Sequence, residues 1–380
     1  MGPLSSMTVI ELAGIGPGPM CGMMLADLGA RVIRVDRPSA VGGSEPIVDV
    51  SARNKESIAV DLKTDAGKEL VLDLCRNADA LIEGFRPGVT ERLGLGPDEC
   101  LAANPKLVYG RMTGWGQEGP LAGAAGHDIN YIALTGALHA IGEPGRKPVP
   151  PINLVGDFGG GGMLLAYGVL AGIIEARISG AGQVVDAAMV DGTAALMAMA
   201  STHLGRGVWN GAPGEGSLAG GSHYYNTYET SDGRWICIGS IEPQFYALLL
   251  DTLDLLPDEG FAEQRNPERW PELKNRLAEI FATKTRDEWV EIMEGTDICF
   301  APVLDLHEAA DHPHAVARNT YVEHDGFLQP APAPRFSGTP GTLRSGAPRP
   351  GEQTSDVLAS VGYASDRIQA LIDEGAVSQA

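Results

Sequence analysis

The chain has 380 residues, 44% of them hydrophobic and 20% charged, a composition typical of α/β proteins and a length that favours two domains. Acidic residues outnumber basic ones by 49 to 28, and the formal charge of −21 argues against nucleic-acid binding, whose usual footprint is a basic patch. The five cysteines are scattered without a CxxC pair, which predicts a reducing, cytoplasmic compartment and no structural zinc.

The first 36 residues predict a β–loop–α–β unit without a secretory signal peptide. The strand, the helix and the second strand are expected over residues 7–12, 20–28 and 31–36. Gly14-x-Gly16 begins a dinucleotide-binding fingerprint, and Asp36 follows at about the twenty-residue distance of a ribose ligand. However, the third glycine position is Pro19, which has no N–H to offer a pyrophosphate, so dinucleotide binding is not favoured.

Basic residues cluster over positions 34–92 of this otherwise acidic chain. Lys63 and Arg86 each follow a strand-like run, and ligands of open α/β sheets bind at such strand ends. The cluster fits a rim that binds a polyphosphate ligand and, equally, a set of solvated charges paired with nearby acids. The residues concerned are Arg34, Arg37, Arg53, Lys55, Lys63, Arg86 and Arg92.

Two short motifs carry the candidate chemistry. The first, GHDINY over 126–131, sets His127 after a glycine and beside Asp128. The second, GDFGGGG over 156–162, sets Asp157 at the start of an apolar helix. A histidine that can be neutral near pH 7 and a carboxylic acid are a natural pair for moving a proton on and off one carbon. The competing interpretation is a core histidine and a helix-capping aspartate.

The four glycines after Asp157 are poor helix formers. They favour a place where a ligand approaches the backbone closely and where N–H groups at the start of a helix face a developing negative charge. The apolar stretch 158–174 borders on transmembrane length, but the glycines at its start favour a buried helix.

The second half of the chain predicts a smaller domain. Residues 205–221 are rich in glycine and mark a boundary, and Ser231-Asp232-Gly233 lies between two strand-like runs and predicts a hairpin. Glu242 lies at a strand-to-helix junction. The expected domains are a large domain over 1–205, a linker over 206–223, a small domain over 224–325 and a segment over 326–380 that returns to the large domain.

Several segments together resemble the α-methylacyl-CoA racemase family, which shares its fold with the family III CoA transferases. The segments that carry the resemblance are residues 9–19, 35–38, 61–63, 83–89 (EGFRPGV), 126–131, 156–161 and 241–246. The GHDINY motif is typical of the racemase branch, whereas EGFRPGV and GDFGGG mark the whole superfamily. The resemblance implies an α/β fold with a Rossmann-like, CoA-binding large domain, a smaller α+β domain and an interlocked homodimer.

The resemblance also implies site residues. His127 and Asp157 would be the catalytic acid/base groups, and Glu242 from the small domain of the partner subunit would hydrogen-bond His127. Lys55-Glu56 stand where relatives often have arginines, which leaves the adenine and phosphate contacts open. CoA would be held by Arg37, Arg53, Val60, Lys63, Gly84, Phe85, Arg86, Arg92, Gly126, Asp128 and Tyr131.

The chemistry of such a site follows from its two groups. A carbon beside a thioester carries a weakly acidic hydrogen, and removing it from one face and returning it to the other inverts the centre. The prediction is therefore racemisation of 2-methylacyl-CoA, with no metal or cofactor, in which His127 takes the proton of the S substrate while protonated Asp157 donates. The alternatives are a CoA transferase with Asp157 as covalent nucleophile and a non-catalytic acyl-CoA carrier.

Overall fold

The computed structural model describes residues 2–43 and 49–380 and divides into two compact units. The first comprises residues 1–135, 152–196 and 319–380, and the second comprises 136–151 and 197–318. The sequence placed domain boundaries at 205, 224 and 325. In the structure the chain passes to the second unit after residue 196 and leaves it after 318, and residues 136–151 belong to the second unit.

A seven-stranded sheet is the framework of the first unit. Its strands are β1 (Thr8–Leu12), β2 (Arg31–Asp36), β3 (Glu56–Val60), β4 (Ala80–Glu83), β5 (Val108–Thr113), β6 (Gln183–Ala188) and, numbered last in the chain, β12 (Val377–Ser378). The spatial order is β12-β3-β2-β1-β4-β5-β6, with β12 antiparallel to β3 and the other pairs parallel. The predicted parallel α/β sheet is confirmed, and its strand order reverses between β1 and β4.

Helices cover both faces of this sheet, which explains why its strands read as nearly continuous apolar runs. Alternate residues of a strand enter different cores, so that Ile10 lies in one core and Val9 in the other. The first core is covered by α2 (Asp65–Arg76), α4 (Pro97–Ala103), α15 (Thr354–Ser360) and α16 (Ser365–Asp373). The second is covered by α1 (Pro17–Asp27), α5 (Asp128–Leu134), α7 (Leu164–Ser179) and α8 (Met189–Leu196).

The long apolar helix begins as a π-helix over Leu154–Met163 and continues as α7. Within the described residues, Leu154–Ser179 is the one helical stretch whose length and composition would allow it to cross a membrane. Its contacts are those of a core helix, because Leu165, Val169 and Ile173 are buried in the second core of the sheet.

The apolar spacing of residues 131–141 and of residues 189–203 predicts one helix in each range, and both helices are divided in the structure. The helix expected over 131–141 becomes α5 and α6 (Ala137–Ala140), because Gly136 between them has a φ of 81°. The helix expected over 189–203 becomes α8 and α9 (Ala198–Gly205), which separate at Met197. Both divisions coincide with a passage of the chain from the first unit to the second.

The second unit is built on a three-stranded antiparallel sheet. Its strands are β7 (Tyr225–Glu229), β8 (Trp235–Gly239) and β9 (Phe300–Pro302), and the predicted hairpin between β7 and β8 is confirmed. The aromatic rings of Tyr228, Phe281 and Trp289 pack together in its core. Its helices are α6, α9, α10 (Pro243–Thr252), α11 (Trp270–Phe281), α12 (Arg286–Met293), α13 (Leu306–Asp311) and α14 (Pro313–Arg318).

Two short elements complete the first unit. Helix α3 (Val89–Arg92) follows the loop after β4. Strands β10 (Tyr321–His324) and β11 (Phe327–Pro330) form an antiparallel hairpin. Its turn residues Asp325 and Gly326 have φ values of 52° and 79°, as a tight two-residue hairpin turn requires.

Candidate active site

A cavity of about 560 Å³ opens at the carboxyl ends of the central strands of the first unit. Leu12 of β1, Glu83 of β4 and Thr113 of β5 lie in its wall. Ligands of open α/β sheets bind outside the carboxyl ends of the strands, where the strand order reverses, and this cavity occupies that position. The predicted site residues in its wall are Gly84, Phe85, Arg86, Gly126, His127, Tyr131 and Asp157.

His127 lies directly before helix α5 with an extended backbone. Its backbone N–H donates to Oδ1 of Asn130 at 3.0 Å, which ties the histidine to the first turn of the helix. The residue is exposed, and it contributes to the cavity wall. The alternative of a core histidine therefore does not hold.

Asp157 lies on the π-helix, half-buried, in the same cavity wall. Its Oδ2 accepts a hydrogen bond from Nδ2 of Asn153 at 3.1 Å. Burial raises the pKa of Asp157 and the charge of Asp128 adds to the rise, whereas the Asn153 hydrogen bond and His127 oppose it. A carboxyl group with a raised pKa keeps its proton to higher pH, which suits a general acid.

The Asp128 carboxyl group is buried and accepts hydrogen bonds from the backbone of the π-helix. Its Oδ2 accepts the backbone N–H groups of Gly156 at 2.6 Å and of Asp157 at 2.8 Å. The residue is not in the cavity wall, and its side chain does not support the prediction that Asp128 contributes to CoA binding. These bonds also contradict the expectation that N–H groups at the start of this helix face a developing negative charge. The N–H groups of Gly156 and Asp157 already donate to the Asp128 carboxyl group and are not available to an enolate oxygen.

The glycine run after Asp157 packs against protein, not against the cavity contents. A Cβ on Gly160 would lie 2.7 Å from the backbone nitrogen of Thr193 in α8. A Cβ on Gly162 would lie 2.9 Å from the carbonyl oxygen of Pro17 at the start of α1. The expectation of a close ligand approach here was wrong, because neighbouring helices take up the space that the missing side chains leave.

Tyr131 forms part of the cavity wall beside the proposed acid. Its ring meets Trp115 edge-on, with centroids 4.7 Å apart. Burial raises the pKa of the Tyr131 hydroxyl, with a further rise from the charge of Asp157 and an opposing effect from Arg86. The phenol therefore lies within electrostatic reach of both Asp157 and Arg86.

Three basic residues of the predicted rim, Arg34, Arg53 and Lys55, are buried. Nη2 of Arg53 lies 2.6 Å from Oδ2 of Asp27, and its Nη1 donates to Gln329 and to the carbonyl oxygen of Pro330. With a side chain 2% exposed, Arg53 cannot reach a phosphate, so its assignment to CoA was wrong. Val60 is likewise buried in the core, at the end of β3.

Lys55 resolves the question that the Lys55-Glu56 pair raised. Its Nζ lies 2.6 Å from Oε2 of Glu11 and 2.9 Å from the carbonyl oxygen of Pro19, entirely inside the protein. Glu56 pairs on the surface with Arg31. Neither residue of the pair therefore contacts a bound phosphate.

The other predicted CoA ligands lie on the surface near the carboxyl edge of the sheet. Arg37 directly follows β2, Lys63 follows β3 and Arg86 follows β4, and all three are exposed. Arg92 is exposed at the end of α3. Of these four, Arg86 lies in the cavity wall, and the CoA contacts of all four remain predictions.

Glu83 is a site residue that sequence reasoning missed. It ends β4 in the cavity wall, 2% exposed, and its Oε2 accepts the N–H of Phe85 at 2.6 Å while its Oε1 accepts from Nε of Arg111 at 3.1 Å. Burial raises the pKa of Glu83 to about 7, against the effects of these two donors. An acidic residue ending the apolar run ALIE was the signal available in the sequence.

Glu242 belongs to the second unit. It is exposed and occupies the N-cap position of α10. Its predicted partner His127 belongs to the first unit, and the contact between them remains a prediction.

Comparison with known proteins places this site in a family. The family model described as CoA-transferase family III matches residues 4–354. Two curated relatives are named alpha-methylacyl-CoA racemase. The Mus musculus protein is 44% identical to this chain, and the match covers 96% of this chain and 95% of that protein. The Homo sapiens protein is 42% identical, and the match covers 97% of this chain and 96% of that protein. The crystal structure of a CAIB/BAIF family protein from Brucella suis is 27% identical with a TM-score of 0.81, covering 95% of this chain and 99% of that one.

Proposed function

The chain belongs to CoA-transferase family III, and we propose that it is an isomerase that racemises 2-methylacyl-CoA thioesters. The observation that carries the proposal is the presence of His127 and Asp157 in the wall of one cavity at the strand-order reversal. The names of the two relatives of 42–44% identity, both alpha-methylacyl-CoA racemase, support the same activity.

The reaction is a proton transfer across one carbon. Neutral His127 removes the α-hydrogen of the S thioester as a proton, and the electron pair moves into the thioester to form an enolate. Protonated Asp157 then gives its proton to the opposite face, leaving an imidazolium and a carboxylate. The R thioester reacts in the reverse sense. The raised pKa of Asp157 supports its role as the donor.

We further propose the remaining parts of the site from the family resemblance. The CoA moiety lies along the edge that carries Arg37, Lys63, Arg86 and Arg92, with the acyl thioester in the cavity. The protein acts as an interlocked homodimer in which Glu242 of the partner subunit hydrogen-bonds His127. The reaction needs no cofactor, and the unpaired cysteines support a cytoplasmic setting.

Isotope exchange tests the activity directly. The protein is incubated with an (S)-2-methylacyl-CoA in heavy water without an acceptor acid, and the product is examined by NMR and chiral chromatography. We expect α-deuteration and a nearly equal mixture of epimers. His127→Ala and Asp157→Asn should each lower the rate by about 10²–10⁴-fold, whereas the exposed His139→Ala, outside the cavity, should not.

The second candidate is a CoA transferase, which the family description and the Asp157 carboxyl group support. Here the carboxylate would attack the thioester carbonyl and release the CoA thiolate. Addition of an acceptor carboxylate separates the two reactions. Transfer of CoA to that acid while the α-position keeps protium would establish the transferase and reject the racemase. A carrier would show neither change, and its affinity for acyl-CoA would be indifferent to His127→Ala.

A further inference from the structure

Asp128 joins the two segments that carry the proposed acid/base pair. It follows His127 directly in the chain, and its Oδ2 accepts the N–H groups of Gly156 and Asp157 at 2.6 and 2.8 Å. The peptide bond between His127 and Asp128 and the hydrogen bond from the Asp157 N–H to the Asp128 carboxyl group thus connect the histidine to the aspartate on the π-helix. This carboxylate therefore ties the two backbone segments together.

The carboxyl group of Asp128 is enclosed by the protein. The residue is 5% exposed, and its Oδ1 is buried with no hydrogen-bond partner among the described residues. A Cβ on Gly156 would lie 2.5 Å from Oδ2, so position 156 accepts no side chain while the bond exists. Both donors to Oδ2 are backbone N–H groups, one of them that of Asp157 itself. The carboxyl group therefore lies inside the protein, close to Asp157.

We propose that Asp128 is a positioning residue that holds the two proton-transfer segments in register and keeps a fixed negative charge beside Asp157. The inference deepens the proposed racemase activity and rests on it. It gives the side chain of Asp128, which lies outside the cavity wall, a role in the chemistry. A merely structural cap would supply the hydrogen bonds but would not need the charge.

The groups that face Asp157 define the expected effect of that charge. Asn153 donates a hydrogen bond, and His127 and Tyr131 lie within electrostatic reach. Arg86 in turn acts on Tyr131. Burial and Asp128 raise the pKa of Asp157, while Asn153 and His127 lower it. Loss of the Asp128 charge should therefore lower the pKa of Asp157.

The direction in which the pH dependence of activity should shift follows from the protonation state of the His127–Asp157 pair. Racemisation needs one proton shared between the imidazole and the carboxyl group, so the enzyme is inactive at low pH, where both are protonated. The acid limb of kcat/KM reports the apparent pKa at which the pair loses the first of its protons. A lower Asp157 pKa should move this limb to lower pH.

Two variants separate the charge of Asp128 from its hydrogen bonds. Asp128→Asn keeps an oxygen acceptor for both N–H groups and removes the charge, whereas Asp128→Ala removes both. We expect Asp128→Asn to shift the acid limb by about one pH unit toward lower pH. We expect Asp128→Ala to lower kcat by about 10²-fold through misplacement of the pair, with a smaller change in KM.

A readout independent of activity completes the test. Carbon-13 labelling of aspartate carboxyl groups, assigned with Asp157→Asn, gives the Asp157 titration by NMR in the parent protein and in Asp128→Asn. An unshifted Asp157 titration, or an acid limb that does not move in an active Asp128→Asn variant, would overturn the inference. If the parent protein shows no α-hydrogen exchange, the proposed function fails, and the NMR titration still decides the electrostatic inference.

Discussion

Substitution of Lys55 by methionine tests the buried ion pair at the cavity wall. The Lys55 ammonium and the Glu11 carboxylate lie 2.6 Å apart, and their side chains are 0% and 1% exposed. Methionine fills a similar volume but leaves Glu11 without its hydrogen-bonded cation. Removal of one partner from a buried pair costs about 3–5 kcal/mol. We expect the free energy of unfolding of the first unit to fall by this amount near pH 7.

The loss should depend on pH. Burial raises the pKa of Glu11, and Lys55 is the main opposing influence. Without Lys55 the native pKa rises further, while the unfolded value stays the same. At a pH between the native Glu11 pKa of the parent protein and that of the variant, Glu11 of the folded variant keeps its proton while Glu11 of the unfolded chain has lost it. The stability of the variant therefore falls as the pH rises through this range. The deficit should be smaller at pH 5 than at pH 8.

Urea unfolding by circular dichroism measures the deficit, and hydrogen exchange in peptides from β1 and β3 assigns it to the first unit. The matched control is the double variant Lys55→Met/Glu11→Gln, which removes both charges. It should recover about 1–4 kcal/mol of the loss. A single variant as stable as the parent protein at pH 7, or a double variant no better than the single one, would refute the electrostatic reasoning.

Three further predictions follow from the site. Arg53→Ala should lower the free energy of unfolding by about 3–5 kcal/mol in urea titrations, because it leaves Asp27 buried without its cation. Arg86→Ala should instead raise KM for acyl-CoA at nearly constant kcat in steady-state kinetics. Gly160→Ala should cost about 1–3 kcal/mol in thermal or urea unfolding, because the added methyl group meets α8. The native pKa of Glu83, about 7, lies above its unfolded value, so stability should fall by up to about 3 kcal/mol from pH 4.5 to 7, and Glu83→Gln should flatten this slope in urea titrations at several pH values.

Much of the parallel sheet could be predicted from local sequence patterns. The strand expected over 31–36 has those bounds in the structure, and its four middle residues are buried, as is typical of a central strand of a parallel sheet. The β7–β8 hairpin could also be predicted, from its Ser-Asp-Gly turn. The hairpin at 321–330 was missed although Asp325-Gly326 is the usual signal, since the proline-rich composition after residue 326 suggested a simple crossing.

The failures at the site have a common physical cause. Arg53 and Lys55 look like surface cations in the sequence, yet each is buried because a distant acid, Asp27 or Glu11, meets it in the fold. The role of Asp128 was missed for the same reason, since its partners lie 28 and 29 residues along the chain. Local patterns can nominate an ionisable group, but long-range pairing decides whether it faces a ligand.

The π-helix that carries Asp157 makes the site sensitive to chain length. Each residue of an α-helix turns the chain by about 100°, and the wide turns over Leu154–Met163 accommodate additional residues before α7 begins. Loss of a single residue from this segment would convert a wide turn into an ordinary one. The core-facing side of α7 could remain in place while the Asp157 carboxyl group swung out of the cavity wall. Insertions and deletions in this stretch should thus be tolerated far less well than substitutions on its exposed side.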